Sequence, residues 1–235
     1  MLLPKFDELP KPLQFPEIKP YYEFLHRRRG RLICKRVFDF FASFLLILLL
    51  SPLFAVIGIW IACDSKGPVF FRQTRITQFG KPFSIYKFRT MVVNAPELGA
   101  PITTKEDTRV TGAGKFLRRL RMDELPQLFN VLKGQMSFVG VRPEVPRYVR
   151  EYTPKMMATL LLPAGITSPA SIAFSKEEEL LADSKDPEKT YLERILPQKM
   201  KSNLSYIQSF SLTGDLKILW QTVQTIFFSR KEEGS

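Results

Sequence analysis

Residues 40–63 read FFASFLLILLLSPLFAVIGIWIAC, a run of 24 residues with no charged side chain. As a straight helix the run would be about 36 Å long, which exceeds the roughly 30 Å hydrocarbon core of a bilayer. It begins too late in the chain and is too long for a cleaved signal peptide. The run therefore predicts a membrane segment, and a buried core helix is the alternative.

The middle and the flanks of this run bear on whether it crosses the bilayer. Ser51-Pro52 lies at the midpoint and leaves two arms of 12 residues, each about 18 Å long, or half a span. Proline clashes with the carbonyl of Leu48, and the Ser51 hydroxyl can satisfy that freed carbonyl. Arginines and lysines flank the run on both sides, which places both flanks on the cytoplasmic face by the positive-inside rule. We expect a re-entrant helix broken at Ser51 and Pro52; a kinked single pass is the alternative.

The composition limits the class of protein. The chain has 235 residues, 45% of them hydrophobic, with 35 Lys+Arg against 23 Asp+Glu and a net charge of +12. These values exclude disordered and collagen-like chains and leave nucleic acid, anionic lipid or phosphorylated substrates as partners. Residues 1–36 carry nine cations and four anions, and residues 64–150 carry 16 cations and seven anions. The positive charge therefore brackets the apolar run.

Several kinds of site are excluded or disfavoured by residue counts. His26 is the only histidine, so a Ser-His-Asp triad and a multi-histidine zinc site are impossible. The two cysteines, Cys34 and Cys63, are too few for a disulfide scaffold, and reduced thiols fit a cytoplasmic face. The sequence contains no P-loop or dinucleotide-binding glycine pattern.

A β-hairpin is predicted after the apolar run. Residues 68–73 (PVFFRQ) and 82–91 (PFSIYKFRTM) are rich in aromatic and β-branched residues, and Gly80 lies between them. In the second strand, Phe83, Ile85 and Lys87 share one face. Residues 92–112 are polar and predict a long loop. The expected fold class is α+β: a membrane re-entrant helix hairpin with a small cytoplasmic domain that contains a β-hairpin and amphipathic interfacial helices.

The most informative stretch is GKFLRRLRMDELPQLFNVLKG, at residues 114–134. Its first part predicts a basic amphipathic helix, which beside a membrane segment would lie on the anionic lipid surface. Its second part predicts another helix that ends at Gly134, with Asp123 as the N-cap and Pro126 in the first turn.

The adjacent carboxylates of Asp123 and Glu124 have two interpretations. Taken alone, acidic residues at a helix start are what capping selects. With arginines just upstream, the same position can receive a phosphate beside an ionised carboxylate. An adjacent pair is also a sparse ligand set for Mg²⁺, which takes one or two carboxylates plus phosphate oxygens and water. Phosphoryl chemistry is therefore the natural candidate.

Five sequence features resemble those of the bacterial sugar transferases, that is, the monotopic phosphoglycosyl transferases. They are the apolar run broken at Ser51-Pro52, KFRTM at 87–91, DELPQLFNVLKG at 123–134, SFVGVRPE at 137–144 and GIT at 165–167. DELPQLFNVLKG is highly specific in this position, whereas KFRTM or GIT alone would be weak. The match resembles the small catalytic unit of the family, since no group of further membrane helices precedes it.

The resemblance implies a two-step transfer of a sugar 1-phosphate from a UDP-sugar to a polyprenyl phosphate, the first membrane step of surface polysaccharide or glycoconjugate synthesis. Asp123 would be the nucleophile that forms a covalent phosphosugar aspartate, and Glu124 its partner in the catalytic dyad. Both would serve as ligands for the cofactor Mg²⁺. Arg142 would bind phosphate through its planar fork, and Lys87 and Arg89 would line the same site. The re-entrant helix is also a family feature.

Some positions depart from the family pattern. Val141 stands where the family often has proline, and residues 163–168 read PAGITS where many members have RPGITG. Ser171 stands where those members have glutamine. If the missing arginine and glutamine contact the nucleotide or sugar, the donor preference of this chain differs.

The C-terminal part is interpreted as structural. The acidic run of residues 176–187, with three consecutive glutamates at 177–179, predicts a solvated helix and turn. Residues 203–210 and 216–228 have helical periodicity, with Asp215 as a predicted N-cap. Trp220, Phe227 and Phe228 could contact the lipid interface or pack in the core.

The sequence divides into a basic N-terminal extension (1–36), the membrane re-entrant helix (37–63) and a cytoplasmic catalytic domain (64–235). We expect a location in the bacterial inner membrane, with the domain on the cytoplasmic face. The expected partners are a UDP-sugar, polyprenyl phosphate and anionic inner-leaflet lipids, with no nucleic acid. Two non-enzymatic hypotheses stay open: a membrane scaffold of a polysaccharide assembly, and a membrane-tethered nucleic-acid binder.

Overall fold

The computed structural model describes residues 3–95, 107–175, 177–182, 184 and 186–232. The helices are α1 (Lys19–His26), α2 (Arg29–Asp64), α3 (Gly112–Arg119), α4 (Gln127–Leu132), α5 (Pro146–Val149), α6 (Pro169–Ala173), α7 (Glu177–Ala182), α8 (Pro187–Thr190), α9 (Leu196–Gln208) and α10 (Leu212–Glu232). The strands are β1 (Phe70–Ile76), β2 (Pro82–Phe88), β3 (Met136–Val139) and β4 (Ala164–Thr167). The predicted mixture of helices with a small sheet is thereby confirmed.

The long apolar helix α2 is long and apolar enough to cross a membrane. Its exposed face carries large apolar side chains, among them Leu49, of which 70% is exposed. Pro52 lies inside the helix, and the Ser51 hydroxyl donates a 2.8 Å hydrogen bond to the Leu48 carbonyl. Leu48 is the residue whose carbonyl loses its partner when proline occupies position 52. The predicted hydrogen bond of the serine hydroxyl is therefore confirmed, but α2 continues as one helix from Arg29 to Asp64, so the predicted break at Ser51 and Pro52 is not seen.

Both ends of α2 are fixed to the rest of the chain by buried polar contacts. Arg36 donates hydrogen bonds of 2.6 and 2.8 Å to the carbonyls of Val131 and Leu132 at the end of α4. Arg89, from the segment after β2, donates to the carbonyls of Ile61, Ser65 and Lys66 at the other end of α2. Each arginine supplies donors to carbonyls at a helix end, where intrahelical donors run out, although the carbonyls of Val131 and Ile61 also accept from Gly134 N and Ser65 N.

The predicted β-hairpin is confirmed. Strands β1 and β2 pair antiparallel, and Gly80 has φ +73° in the turn between them. Phe83 and Ile85 are buried against Val131 and Met136, while Lys87 follows on the same face. Of the predicted loop at 92–112, residues 96–106 lie outside the described residues, and Met91 pairs with Val110 across its ends.

A second sheet, which the periodicity does not predict, is formed by two of the family-like strings. Strands β3 and β4 pair in parallel through Met136 with Ala164 and Val139 with Thr167. A Cβ at Gly165 would lie 2.1 Å from the nitrogen of Gly140, so this crossing requires glycine. The close approach holds the chain after β3 at a fixed distance from the GIT string.

The N-terminal residues pack into the main hydrophobic core. Leu13, Ile18 and Leu25 are almost completely buried in the cluster that contains Leu161 and Ile207. Short turns started by proline let this segment fold back on α9 without a long helix.

Two predictions for the C-terminal part need correction. Asp215 is not an N-cap: α10 begins at Leu212, and the buried Asp215 carboxylate accepts hydrogen bonds of 2.5 Å from Lys35 and 2.8 Å from Tyr206. Glu177 is not simply solvated, because its carboxylate accepts a 3.0 Å hydrogen bond from the buried Lys199. Ion pairs between residues distant in the sequence cannot be predicted from a local sequence pattern.

Trp220 does not pack in the core, since 64% of it is exposed. The side chains of Phe227 and Phe228 lie outside the described residues.

The buried pair of Lys35 and Asp215 generates a stability prediction. Lys35→Met leaves Asp215 buried without its cation, and we expect the free energy of unfolding to fall by about 3 kcal/mol. Arg31→Met, at an exposed position of the same helix, is the control and should change it by less than about 0.5 kcal/mol. Denaturant unfolding in detergent micelles measures both. Equal unfolding curves for the two variants would contradict the role assigned to the pair.

Candidate functional site

The two predicted catalytic carboxylates lie on a short 3₁₀ turn of residues Met122–Glu124. Both are buried, with 7% of Asp123 and 9% of Glu124 exposed. Arg121, just before the turn, has a left-handed backbone with φ +56°. That conformation costs a non-glycine residue free energy and is concentrated at functional sites.

The expected N-cap role of Asp123 is wrong. The turn already uses the nearby N–H groups, since Glu124 N donates to the Arg121 carbonyl and Leu125 N to the Met122 carbonyl. Pro126 occupies the N-cap position of α4, where no side-chain cap hydrogen bond is formed. The Asp123 carboxylate is therefore available for other contacts.

Two of the three predicted phosphate-binding cations meet Glu124. Lys87 Nζ donates a 2.7 Å hydrogen bond to Glu124 Oε1 and lies 3.9 Å from Asp123 Oδ2. Arg142 binds both oxygens of Glu124, through Nη2 to Oε1 at 2.6 Å and Nη1 to Oε2 at 3.3 Å. A third of the Arg142 side chain remains exposed, so its guanidinium can also contact a ligand.

Arg89 makes its contacts elsewhere. Its guanidinium donates to carbonyls at the end of α2, and only 5% of the residue is exposed. The structure does not bring Arg89 into contact with Asp123 or Glu124. The KFRTM string therefore supplies one cation to the carboxylates and one to the end of α2.

The two neighbouring carboxyl groups have opposite pKa shifts. Burial raises the pKa of Asp123, and the nearby Lys87 ammonium only partly offsets this effect. Burial also acts to raise the pKa of Glu124, but Arg142 and Lys87 together outweigh it and hold that pKa well below its ordinary value. Two cations thus favour the ionised form of Glu124, whereas Asp123 lacks comparable support.

A cation that sequence reasoning assigned to the lipid surface also contributes to this site. Arg118 of α3 donates a 2.9 Å hydrogen bond to the buried Thr90 hydroxyl. Its charge, like that of Arg121, acts to lower the pKa of Asp123. The helical spacing could not separate this inward arginine from its lipid-facing neighbours, because α3 is only eight residues long.

The carboxylates at this site are compatible with Mg²⁺, which is often bound by only one or two protein carboxylates. Among the described residues, no group of three or more His, Cys, Asp or Glu side chains is suited to hold a metal ion. Within the same part of the chain, the Asp123 carboxylate accepts no hydrogen bond, although it is buried. One free carboxylate beside substrate phosphates is a usual ligand set for this ion. Both Glu124 oxygens already accept hydrogen bonds, so Asp123 is the better ligand.

Two of the positions that depart from the family pattern make local contacts, Val141 through its backbone carbonyl and Ser168 through its side chain. The carbonyl of Val141 accepts a 2.9 Å hydrogen bond from the nitrogen of Gly165, which extends the contact between β3 and β4. Ser168 caps α6, because its hydroxyl accepts a 2.9 Å hydrogen bond from the nitrogen of Ser171.

Comparison with known proteins agrees with the resemblance to the bacterial sugar transferases. A family model described as bacterial sugar transferase matches residues 30–229. The chain is 38% identical over 203 residues to an undecaprenyl-phosphate glucose phosphotransferase of Komagataeibacter xylinus, covering 83% of this chain and 36% of the relative. It is also 38% identical over 195 residues to the UDP-N-acetylgalactosamine-undecaprenyl-phosphate N-acetylgalactosaminephosphotransferase of Aeromonas hydrophila, covering 82% of this chain and 43% of the relative.

A third relative matches along nearly its whole length. The exopolysaccharide production protein PSS of Rhizobium leguminosarum bv. phaseoli is 34% identical over 199 residues, covering 82% of this chain and 94% of the relative. The chain spans about two fifths of the first two relatives, at 36% and 43%.

The ion pairs of Glu124 generate a prediction with a defined pH dependence. Because its folded pKa is held below the ordinary 4.5, the stabilisation is present above that pH and is lost as the pH falls through the folded pKa. We expect Arg142→Gln to lower the free energy of unfolding at pH 7 by about 2 kcal/mol. The difference from the unsubstituted protein should shrink on acidification, as measured by denaturant unfolding at several pH values.

Arg147→Gln is the matched control, since Arg147 pairs with Glu188 where about half of each side chain is exposed. Its effect should stay below about 1 kcal/mol. If Arg142→Gln lowered the free energy of unfolding as much in acid as at pH 7, the loss could not be assigned to the ion pair with Glu124.

Proposed function

The chain belongs to the bacterial sugar transferase family, and we propose that it transfers a sugar 1-phosphate from a UDP-sugar to a polyprenyl phosphate. The observation that carries the proposal is the turn at residues 122–124, where adjacent buried carboxylates meet Lys87 and Arg142. The relatives named as undecaprenyl-phosphate sugar phosphotransferases support it. The product would be the lipid-linked sugar that begins a surface polysaccharide or glycoconjugate.

The proposed reaction proceeds through Asp123 in two steps. In the first, a carboxylate oxygen of Asp123 attacks the phosphorus that carries the sugar, and the bond to the other phosphate breaks so that UMP leaves with the electron pair. In the second, a phosphate oxygen of polyprenyl phosphate attacks the same phosphorus and releases the Asp123 carboxylate. The covalent intermediate divides one difficult exchange into two easier ones. The described residues donate no hydrogen bond to the Asp123 carboxylate, which supports this role because its lone pairs are available.

Lys87 and Arg142 would bind the diphosphate of the donor. Glu124 would hold both cations beside Asp123 before the substrate arrives, which avoids the cost of arranging them during the reaction. Mg²⁺, when bound, neutralises negative charge on the phosphates. Asp123 would be its main protein ligand, and Glu124 would join only if one of its present hydrogen bonds were given up.

We propose that α2 enters and leaves the membrane on the cytoplasmic side. Arg36 at the first arm and the Ile61 carbonyl at the second arm both bind the same domain. Ser43 and Ile61 are buried. Each is nine residues from Pro52, or about two and a half helical turns, so both point to the side of the helix opposite Pro52. A proline opens a helix on its own side, so a bend at Pro52 draws the two arms toward the side that faces the domain.

The lipid contacts proposed for the remaining helices follow from exposed apolar side chains. Phe116 of α3 lies 5.4 Å from Trp60 of α2, between ring centres, and 39% of Phe116 is exposed. Leu216 and Trp220 are exposed on α10, which Asp215 ties to Lys35 near the start of the membrane helix. These side chains would rest in the headgroup region of the inner leaflet.

The enzyme proposal predicts a burst of UMP. Purified protein with Mg²⁺ and a suitable UDP-sugar from a broad panel should release about one UMP per chain before polyprenyl phosphate is added, because the first step needs no acceptor. Asp123→Asn should reduce the burst by about a thousandfold. Rapid-quench chromatography of UMP measures the amplitude.

Asp7→Asn, the same exchange at an exposed position, is the control and should keep the full burst. An unchanged burst in Asp123→Asn would refute the covalent step. A protein that gives no burst with any UDP-sugar would favour the scaffold hypothesis.

Topology is tested with the two native cysteines, which are exposed at opposite ends of α2. Variants that retain only Cys34 or only Cys63 are treated in intact cells with a membrane-impermeant thiol reagent. A re-entrant helix keeps both ends inside, so neither variant should be labelled until the cells are opened. Labelling of either one from outside would mean that α2 spans the membrane.

A further inference from the structure

A second buried polar cluster, which the proposed reaction does not use, lies beside the chain that carries Arg142. It consists of Glu144, Tyr191, Lys199 and Glu177, and we refer to it as the Glu144 cluster. The Tyr191 hydroxyl donates a hydrogen bond to Glu144 Oε1, and Lys199 Nζ lies 3.9 Å from the same oxygen. At most 8% of Glu144, Tyr191 or Lys199 is exposed. Burial and the Glu144 carboxylate both raise the pKa of Tyr191, so the tyrosine stays a hydrogen-bond donor.

The helix that carries Tyr191 is irregular at this point. Residues Tyr191–Ile195 form a π-helical turn between α8 and α9. Such turns are rare in proteins and are frequent at functional sites. The first residue of this turn is the one whose hydroxyl reaches Glu144, and its ring packs on Tyr148 at 5.0 Å between centres.

The backbone between Arg142 and the Glu144 cluster is also fixed. Arg75 Nη1 donates a 3.1 Å hydrogen bond to the Pro143 carbonyl, and Ile76 N donates a 3.0 Å bond to the Glu144 carbonyl. Pro143 itself has a restricted φ. Both residues that follow Arg142 are thus held in place.

A buried cluster of two carboxylates, a lysine and a tyrosine is weak evidence for stability alone. Burying such charges is costly, and apolar residues of similar volume are often at least as stabilising. The presence of polar side chains at this buried place is better explained by the precise geometry that they impose on the neighbouring backbone.

We propose that Glu144, held by Tyr191 and Lys199, is a positioning residue that fixes Arg142 in its two-point contact with Glu124. The inference rests on the proposed function, in which Arg142 binds the diphosphate of the donor. Glu144 touches no substrate in this scheme; it acts on the site through the backbone of residues 142–144.

Tyr191→Phe tests the inference because it removes the hydroxyl and keeps the ring. Tyr148→Phe is the matched control, since its hydroxyl accepts from Arg147 and makes no contact with Glu144. We expect Tyr191→Phe to weaken binding of UDP, measured by calorimetric titration in the presence of Mg²⁺, by roughly tenfold, the equivalent of one hydrogen bond to a charged group. Tyr148→Phe should bind UDP as the unsubstituted protein does, and both variants should have similar melting temperatures.

A second measurement needs no nucleotide. The NMR signal of the Arg142 Nε–H, assigned by its loss in Arg142→Lys, reports how well the guanidinium is held through its exchange rate with water. The exchange should accelerate severalfold in Tyr191→Phe and stay unchanged in Tyr148→Phe. Glu144→Gln, which still accepts a hydrogen bond from Tyr191, should accelerate it less than Glu144→Ala.

The outcomes separate this inference from the proposed function. Unchanged exchange at Arg142 in Tyr191→Phe overturns the positioning role, whatever the UDP titration gives. Faster exchange in a protein that binds no UDP supports the positioning role and removes donor binding from the proposed function. A loss of UDP affinity of equal size in Tyr148→Phe would show a general packing effect and would also overturn the inference.

Discussion

The hydrogen bonds that join the ends of α2 to the rest of the chain are the constraint on which the site depends. Arg36 binds the last carbonyls of α4, the helix that directly follows the turn of Asp123 and Glu124. Arg89 binds the last carbonyls of α2 and lies two residues after Lys87, which reaches Glu124. The carboxylates and one of their cations are thus held by the same two short segments that hold α2. A shift of α2 would therefore disturb the site directly.

This arrangement explains where much of the positive charge is used. Arg36, Arg89 and Arg142 bind carbonyl groups or Glu124 inside the chain, and Lys35 is buried against Asp215. The pairs with Glu124 and Asp215 already cancel in the net charge of +12, so only Arg36 and Arg89, which bind neutral carbonyls, reduce the net positive charge that remains for lipid or nucleic acid. Charge counted along a sequence indicates which classes of anion are plausible, but burial determines which cations are free to bind them.

Local patterns predicted the elements whose causes are local. The aromatic and β-branched residues predicted the hairpin, and the proline at position 52 predicted the hydrogen bond between Ser51 and Leu48. The partners of Asp215 and Glu177 were missed, because each is a side chain distant in sequence. The β3–β4 pair is parallel and only four residues long in each strand, too short for a periodic signal. The strings DELPQLFNVLKG and KFRTM drew attention to the adjacent carboxylates and to Lys87, which the structure brings together, whereas the inward direction of Arg118 depends on packing.

The different environments of Asp123 and Glu124 follow from the turn on which they lie. A 3₁₀ turn has three residues per turn, so successive side chains point about 120° apart. Glu124 consequently faces Lys87 and Arg142, whereas Asp123 keeps a buried carboxylate with only a distant ammonium at 3.9 Å. Neighbouring titratable groups whose surroundings push their pKa values apart are suited to different tasks. Glu124 pairs with both cations, whereas the buried Asp123 carboxylate accepts no hydrogen bond from the described residues, as the proposed attack on phosphorus requires. An N-cap position would instead have given Asp123 hydrogen bonds from backbone N–H groups.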